Sequence, residues 1–122
     1  MEQKKSTKKW GMSLHLDLHG CNARILDDRK AIKEYVQQLC KEIKMERYGP
    51  TRVAKFGKGW RYGLSAMQFI STSSITLHSV PPLNANYIDI FSCGKFDPEK
   101  AKKYSMEYFQ AKTAKATFIK RD

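Results

Sequence analysis

The sequence has no long hydrophobic run and no segment with the pattern of a secretion signal. No stretch approaches the roughly 18 consecutive apolar residues that a membrane-spanning helix needs. The basic residues 1–9 are followed by neither an apolar segment nor a small-residue cleavage site, so they do not resemble a secretion signal. We therefore expect a cytoplasmic protein that has no membrane partner.

The sequence has few cysteines, and their spacing indicates no pairing. Cys21, Cys40 and Cys93 are an odd number with no C-x-x-C spacing, which argues against a disulfide framework or a zinc site. His15 and His19 have no third ligand nearby, so they are also a poor metal site. The sequence predicts three free thiols, for which packing as small apolar residues is the ordinary role, and no bound metal.

Acidic residues are also few, 12 against 23 basic ones, and the net charge is +11. Residues 1–9 carry four Lys and one Glu, or +3, and residues 99–122 carry six Lys and one Arg against two Glu and one Asp, or +4. The remaining +4 lies in the middle of the chain. Since no glycine-aromatic RNA-binding signature or zinc-finger spacing accompanies this charge, we interpret it as solvated charge and predict no specific nucleic-acid partner.

The length and composition are those of one globular domain. A chain of 122 residues with 41% hydrophobic residues can build one two-layer core, and it shows no internal repeat. We predict a flexible basic tail at residues 1–10 and a single domain at residues 11–122. Any chemistry must therefore lie on that core or between subunits.

Hydrophobic periodicity predicts an alternation of strands and helices. Leu14, Leu16 and Leu18 alternate with polar residues, as in a half-buried strand. A helix begins near Asp27 and Asp28 and ends near Met45, with apolar residues at three-and-four spacing. A break at Gly49-Pro50 comes next, and four strands follow at 51–56, 62–71, 75–79 and 87–93. A second helix starts at Asp97-Pro98, and a final strand lies at 116–119.

This order, β-α-β-β-β-β-α-β, predicts the α+β fold class. We expect a two-layer sandwich in which a mainly antiparallel sheet has two helices on one face.

Four polar residues stand out in two segments. Residues 62–78 are YGLSAMQFISTSSITLH and residues 87–94 are YIDIFSCG, which contain Ser65, Ser73, His78 and Cys93. A G-x-S strand, a serine-containing turn, a T-x-H segment and a strand ending in C-G follow one another. This arrangement resembles the prokaryotic S-adenosylmethionine decarboxylase family. Residues 11–28 and 96–98 also fit that family, so the resemblance covers nearly the whole chain.

The resemblance implies a self-generated pyruvoyl cofactor. In the family a serine, here Ser73, attacks the carbonyl before it, and the chain is cut between Thr72 and Ser73. Ser65 would stabilise the oxyanion and His78 would remove the α-proton, because an unassisted serine is a weak nucleophile. Each of these side chains also has an ordinary structural alternative, as a turn hydroxyl or a packed histidine.

The resemblance further implies the reaction that follows processing. The pyruvoyl group derived from Ser73 would form a Schiff base with the substrate amine and accept the electrons released with carbon dioxide, and Cys93 would donate a proton to the product. This is the decarboxylation of S-adenosylmethionine in polyamine and spermidine biosynthesis by a lyase made as a zymogen. The family also implies a homodimer, and we expect Cys93 to lie near His78.

The sequence departs from the family pattern in two places. Thr72 and Ser74 replace the glutamate and histidine that usually flank the processed serine, and Val80 and Pro82 replace an aromatic and an acidic residue that help to hold the nucleoside. Two alternatives therefore stay open: decarboxylation of arginine or ornithine, or an unprocessed relative that acts as a binding or regulatory protein. Trp60, Tyr62, Phe69 and Tyr87 are candidates for a replacement aromatic wall, and the sequence does not indicate which of them face a pocket.

Overall fold

The computed structural model describes residues 10–122, so nearly all of the predicted basic tail lies outside the described residues. The elements in chain order are β1 (Gly11–His19), α1 (Ala23–Leu26), α2 (Arg29–Glu42), β2 (Arg47–Phe56), β3 (Gly63–Ile70), β4 (Ser73–Val80), β5 (Ala85–Ser92), α3 (Pro98–Phe109) and β6 (Thr113–Arg121). Two short 3-10 turns lie at Gly59–Arg61 and Pro81–Leu83.

All six strands form one antiparallel sheet with the order β2-β3-β4-β5-β1-β6. The predicted α+β sandwich is confirmed. The strand β1 is longer than predicted because it pairs along its whole length with β5 on one side and β6 on the other. Its alternation has the predicted consequence: Leu14, Leu16 and Leu18 are at most 1% exposed, in the core.

The two long helices begin where the sequence predicts. The Asp28 carboxylate accepts a hydrogen bond from the Ala31 N–H at 3.0 Å and caps α2, and Asp97 caps α3 in the same way. The helices meet at Tyr35, whose hydroxyl lies 2.6 Å from that of Ser105 and whose ring centroid lies 4.6 Å from that of Phe109. These contacts anchor both helices on the same face of the sheet.

Three local differences from the predicted elements have physical reasons. A one-turn helix, α1, precedes α2 because the Asn22 side chain caps it. The helix α2 ends at Glu42, before Met45, since Lys44 takes a left-handed conformation. The Gly49-Pro50 pair does not end a segment but makes an irregularity inside β2, where an edge strand tolerates proline.

The sheet has a covered face and an outer face. The covered face packs on the helices through an apolar core that includes Leu64, Ile75 and Ile88. The outer face carries Ser65, His78 and Tyr87, and large apolar side chains on it are exposed, with Phe69 at 57% and Met67 at 44%. No helix within residues 10–122 covers this outer face, nor is any helix there long and apolar enough to span a membrane.

Candidate active site

Ser73 begins β4, directly after the tight turn that joins it to β3. Ile70 and Ser73 are register partners, so only Ser71 and Thr72 form the connection. Two-residue hairpins favour turns with positive φ, which usually require Gly or Asn. Here Ser71 does not have a positive φ, and Thr72, the second residue of the turn, does, at 55°. A β-branched residue there costs on the order of 1–3 kcal/mol, so the turn before Ser73 is strained.

The Ser73 side chain is directed to the covered face and is 8% exposed. Its Oγ accepts a hydrogen bond from the Cys93 N–H at 2.9 Å. This contact fixes the position of the Ser73 hydroxyl. The predicted nucleophile is therefore held in place by the backbone of a second predicted site residue.

Cys93 follows β5 and lies opposite Thr72. Its Sγ is in contact with the Thr72 hydroxyl, and the thiol is exposed. Hydrogen bonds from Thr72 first and from Ser73 second lower the pKa of the Cys93 thiol, while partial desolvation opposes them. Ser73, Thr72 and Cys93 thus form one group at the turn.

Ser65 and His78 form a second group at the other end of the same hairpin. They are register partners across β3 and β4, and Ser65 Oγ lies 2.9 Å from His78 Nδ1. A shallow recess around them is also lined by Phe56 and Arg61. The pair lies on the outer face, where the histidine is exposed.

The two groups do not meet within one chain. His78 follows Ser73 by five positions on a regular strand, which is about 16 Å, and an odd separation directs the two side chains to opposite faces. The expectation that Cys93 lies near His78 is therefore wrong for a single chain. The register partner of His78 is Tyr87, which precedes Cys93 by six positions.

A cleft of about 650 Å³ opens at the turn. Residues 70–74 form its floor, and its walls are the aromatic side chains of Tyr48, Phe69 and Phe91. Of the four aromatic residues that the sequence suggested, only Phe69 lines this cleft. Tyr62 instead donates a hydrogen bond to Asp27 at 2.6 Å.

Sequence reasoning missed Tyr48 and Phe91. Phe91 precedes Cys93 by two positions, and a period of two puts both on one face of the sheet. The place of Phe91 beside the site could therefore have been predicted from the sequence. Tyr48 lies before the irregularity in β2, which shifts the register between Tyr48 and Arg52. No sequence pattern indicates on which face such a residue emerges.

The other predicted features lie away from the cleft. Cys21 and Cys40 are free and buried, and burial raises the pKa of each thiol to about 11, which makes both poor nucleophiles. His15 contacts Asp89 at 2.7 Å. Within residues 10–122 no group of three or more His, Cys, Asp or Glu side chains is placed to hold a metal ion.

Comparison with known proteins identifies relatives over nearly the whole chain. The S-adenosylmethionine decarboxylase family model matches residues 12–122. The S-adenosylmethionine decarboxylase proenzymes of Clostridium kluyveri and Acetivibrio thermocellus are 30% and 33% identical over 112 residues, which is 91% of this chain and 86% and 87% of theirs. That of Pyrococcus abyssi is 32% identical over 103 residues, covering 84% of this chain and 71% of its own.

A solved structure has the same fold. The crystal structure of the adenosylmethionine decarboxylase from Aquifex aeolicus superposes with a TM-score of 0.79 at 20% sequence identity, covering 94% of this chain and 92% of that one. The match in fold and the match of the family model together confirm the resemblance noted from the sequence. The chain belongs to the S-adenosylmethionine decarboxylase family of carboxy-lyases, whose members are made as proenzymes.

Proposed function

We propose that this protein cuts itself between Thr72 and Ser73 and then decarboxylates S-adenosylmethionine with the pyruvoyl group so formed. The geometry of that peptide bond carries the proposal. A strained residue with φ of 55° precedes the bond, and the hydroxyl that would attack it is held by the Cys93 N–H at 2.9 Å. Strain and a positioned nucleophile are the two properties that self-cleavage of an ordinary amide needs.

The cleavage itself uses the atoms of the turn. Ser73 Oγ attacks the Thr72 carbonyl carbon, the C–N bond breaks, and the nitrogen of Ser73 becomes an amine while Thr72 becomes an ester. Removal of the α-proton of Ser73 then forms a double bond to Cβ, and Thr72 leaves as a carboxylate. Hydrolysis of the remaining unsaturated amine takes up water, releases ammonia and yields the pyruvoyl group.

The base for the second step comes, in this proposal, from a second copy of the chain. His78 has the chemistry of a base, and Ser65 orients its ring at 2.9 Å, but His78 lies about 16 Å along β4 from Ser73 of its own chain. A homodimer that buries the outer face would bring the Ser65–His78 pair of one copy to the turn of the other. The exposed Phe69 and Met67 on that face support burial of this kind.

The residues at the turn fit a pyruvoyl group. Cleavage makes position 73 the first residue of a fragment, at the floor of the 650 Å³ cleft, and Cys93 provides an exposed thiol beside it. When formed, the group supplies a ketone that holds the substrate amine and accepts the electron pair released with carbon dioxide. Cys93 then returns a proton to the product carbon.

The lining of the cleft favours an adenosyl substrate over a basic amino acid. None of the described residues that line it is Asp or Glu, whereas Tyr48, Phe69 and Phe91 present aromatic faces. An adenine ring can stack on such faces, but a guanidinium group or a second ammonium group would lie there without a carboxylate partner. S-adenosylmethionine is therefore our preferred substrate, despite Val80 and Pro82.

Denaturing mass spectrometry tests this proposal. The purified 14.1 kDa chain should resolve into fragments 1–72 and 73–122, the second blocked to amino-terminal sequencing. Ser73→Ala should remain intact, whereas the matched control Ser74→Ala should still cleave. Release of labelled carbon dioxide should be faster from S-adenosylmethionine than from arginine or ornithine. A chain that stays intact and inert would instead indicate a binding or regulatory relative.

A further inference from the structure

The side chain of Thr72 contacts the thiol that the proposed reaction uses as its proton donor. Thr72 Oγ1 donates a hydrogen bond to the Ser71 carbonyl at 2.7 Å and is also in contact with Cys93 Sγ. When the thiol is ionised, the hydroxyl can donate to the sulfur. This contact is the first cause of the lowered pKa of Cys93, and the Ser73 hydroxyl is the second.

Cleavage would remove the Ser73 hydroxyl and add a charge at Thr72. The oxygen of Ser73 leaves with Thr72, so the hydroxyl next to Cys93 disappears and Thr72 gains a carboxylate. A negative charge would then lie near the sulfur, and the Ser73 hydroxyl would be gone. A nearby carboxylate disfavours a thiolate, so the thiol stays protonated after cleavage.

We propose that Thr72 is a positioning residue for Cys93. In the intact chain it holds the thiol by a side-chain hydrogen bond, and after cleavage the negative charge of its new carboxylate keeps the thiol protonated. The second half of this inference rests on the proposed function, and the first half does not. The inference explains how one sulfur can be restrained in the proenzyme and become a proton donor in the enzyme. It assigns this task to the residue that departs from the family pattern.

The charged groups around Cys93 are unchanged by cleavage. Gly11 of β1 lies against the backbone of Cys93, and its register partner on β6 is Arg121. Lys95 follows two positions along the chain. Neither cation is among the causes of the lowered pKa of Cys93, so a rise in that pKa on cleavage must come from the side of Thr72 and Ser73.

The first test uses the chain locked intact by Ser73→Ala. We would measure the pH profile of Cys93 alkylation by iodoacetamide with peptide mass mapping, in this background alone and with Thr72→Val or Thr72→Ser. Thr72→Val removes the hydroxyl and keeps the branched shape, so the profile should shift to higher pH and the rate at pH 7 should fall about threefold. Thr72→Ser keeps the hydroxyl and should retain the parent profile.

Identical profiles for Thr72→Val, Thr72→Ser and the parent background would overturn the proposal. If Thr72→Val does not fold, Thr72→Ala removes the same hydroxyl and gives the same comparison. This test needs no cleavage, so it remains decisive even if the native chain never cuts itself.

The second test compares the cleaved native chain with intact Ser73→Ala. The alkylation profile of Cys93 should lie at higher pH in the cleaved chain. A profile at the same or lower pH would refute the second half of the inference. A native chain that stays intact would refute the proposed function instead, so the two failures are distinguishable.

Discussion

Ser65 and His78 face each other across β3 and β4 with Oγ 2.9 Å from Nδ1, on the outer face and at the end of the hairpin away from Ser73. An oriented histidine at this position cannot serve Ser73 of its own chain. Under the proposed function, the nucleophile and its base would therefore belong to different copies of a dimer.

Co-expression of two inactive variants tests this division. Neither Ser73→Ala nor His78→Ala should cleave alone. In a mixed dimer, Ser73 of the His78→Ala chain would meet the intact His78 of its partner. With equal expression about half of the His78→Ala chains should then be cut, because about half of them lie in mixed dimers.

The readout is the mass of the fragments, with a distinguishing tag on each chain. Mixing the two variants after separate purification, without subunit exchange, is the control and should give no cleavage. No fragments in the co-expressed sample, despite mixed dimers on a tag pull-down, would contradict the assignment of His78 to the second copy.

His78→Ala alone should stop at the ester. The first step needs only Ser73 and the strained turn, whereas the elimination needs a base. General base catalysis speeds such a proton transfer by about 10²–10⁴. Hydroxylamine cuts esters and not ordinary amides, so it should release fragment 1–72 from His78→Ala and leave Ser73→Ala intact. His78→Ala that processes as fast as the parent would remove this role from the histidine.

Much of the fold follows from patterns of period two and of three and four. The alternation of Leu14, Leu16 and Leu18 predicted β1, and the cap at Asp97 predicted α3. The strand ends could not be predicted, because β1 is extended to Gly11 by pairing with β5 and β6, which are distant in sequence. Tertiary pairing, rather than local preference, sets those limits.

The site could be predicted in part. The residues at 65, 73, 78 and 93 follow from the resemblance. The number of positions between two of them on one strand also predicts whether their side chains share a face. An odd separation puts Ser73 and His78 on opposite faces of β4, so their separation could be derived from the sequence. The contact of Thr72 with Cys93 was not, since it depends on the turn opposite the end of β5.

Gln68 should be the main support of the edge strand beside the cleft. This buried side chain bonds the Thr51 hydroxyl and donates to the carbonyls of Gly49 at 3.1 Å and Phe69 at 2.8 Å. Gln68→Leu has a similar volume but leaves these groups unpaired, so it should lower the free energy of unfolding by about 2–3 kcal/mol. Denaturant unfolding measures this change.

The matched control is Met67→Leu, the neighbouring position on the outer face, which should change stability by less than about 0.5 kcal/mol in the monomer. Equal stability of Gln68→Leu and the parent would show that the bonds around Gln68 do not support β2.

Thr72→Gly separates the strain of the turn from the chemistry of its neighbours. Glycine takes a φ of 55° without a steric cost, so in the intact Ser73→Ala background the change should stabilise the chain by about 1 kcal/mol, net of the extra entropy of glycine when unfolded. With Ser73 present, the same relief should slow cleavage, because the strained amide lies closer in energy to the ester than a relaxed one does.

We would measure the melting temperature in the Ser73→Ala background and the rate of fragment appearance with Ser73 present. Thr72→Ala is the control that keeps a β-carbon. A glycine variant that is less stable and cleaves as fast as the alanine variant would mean that strain at Thr72 does not drive the reaction.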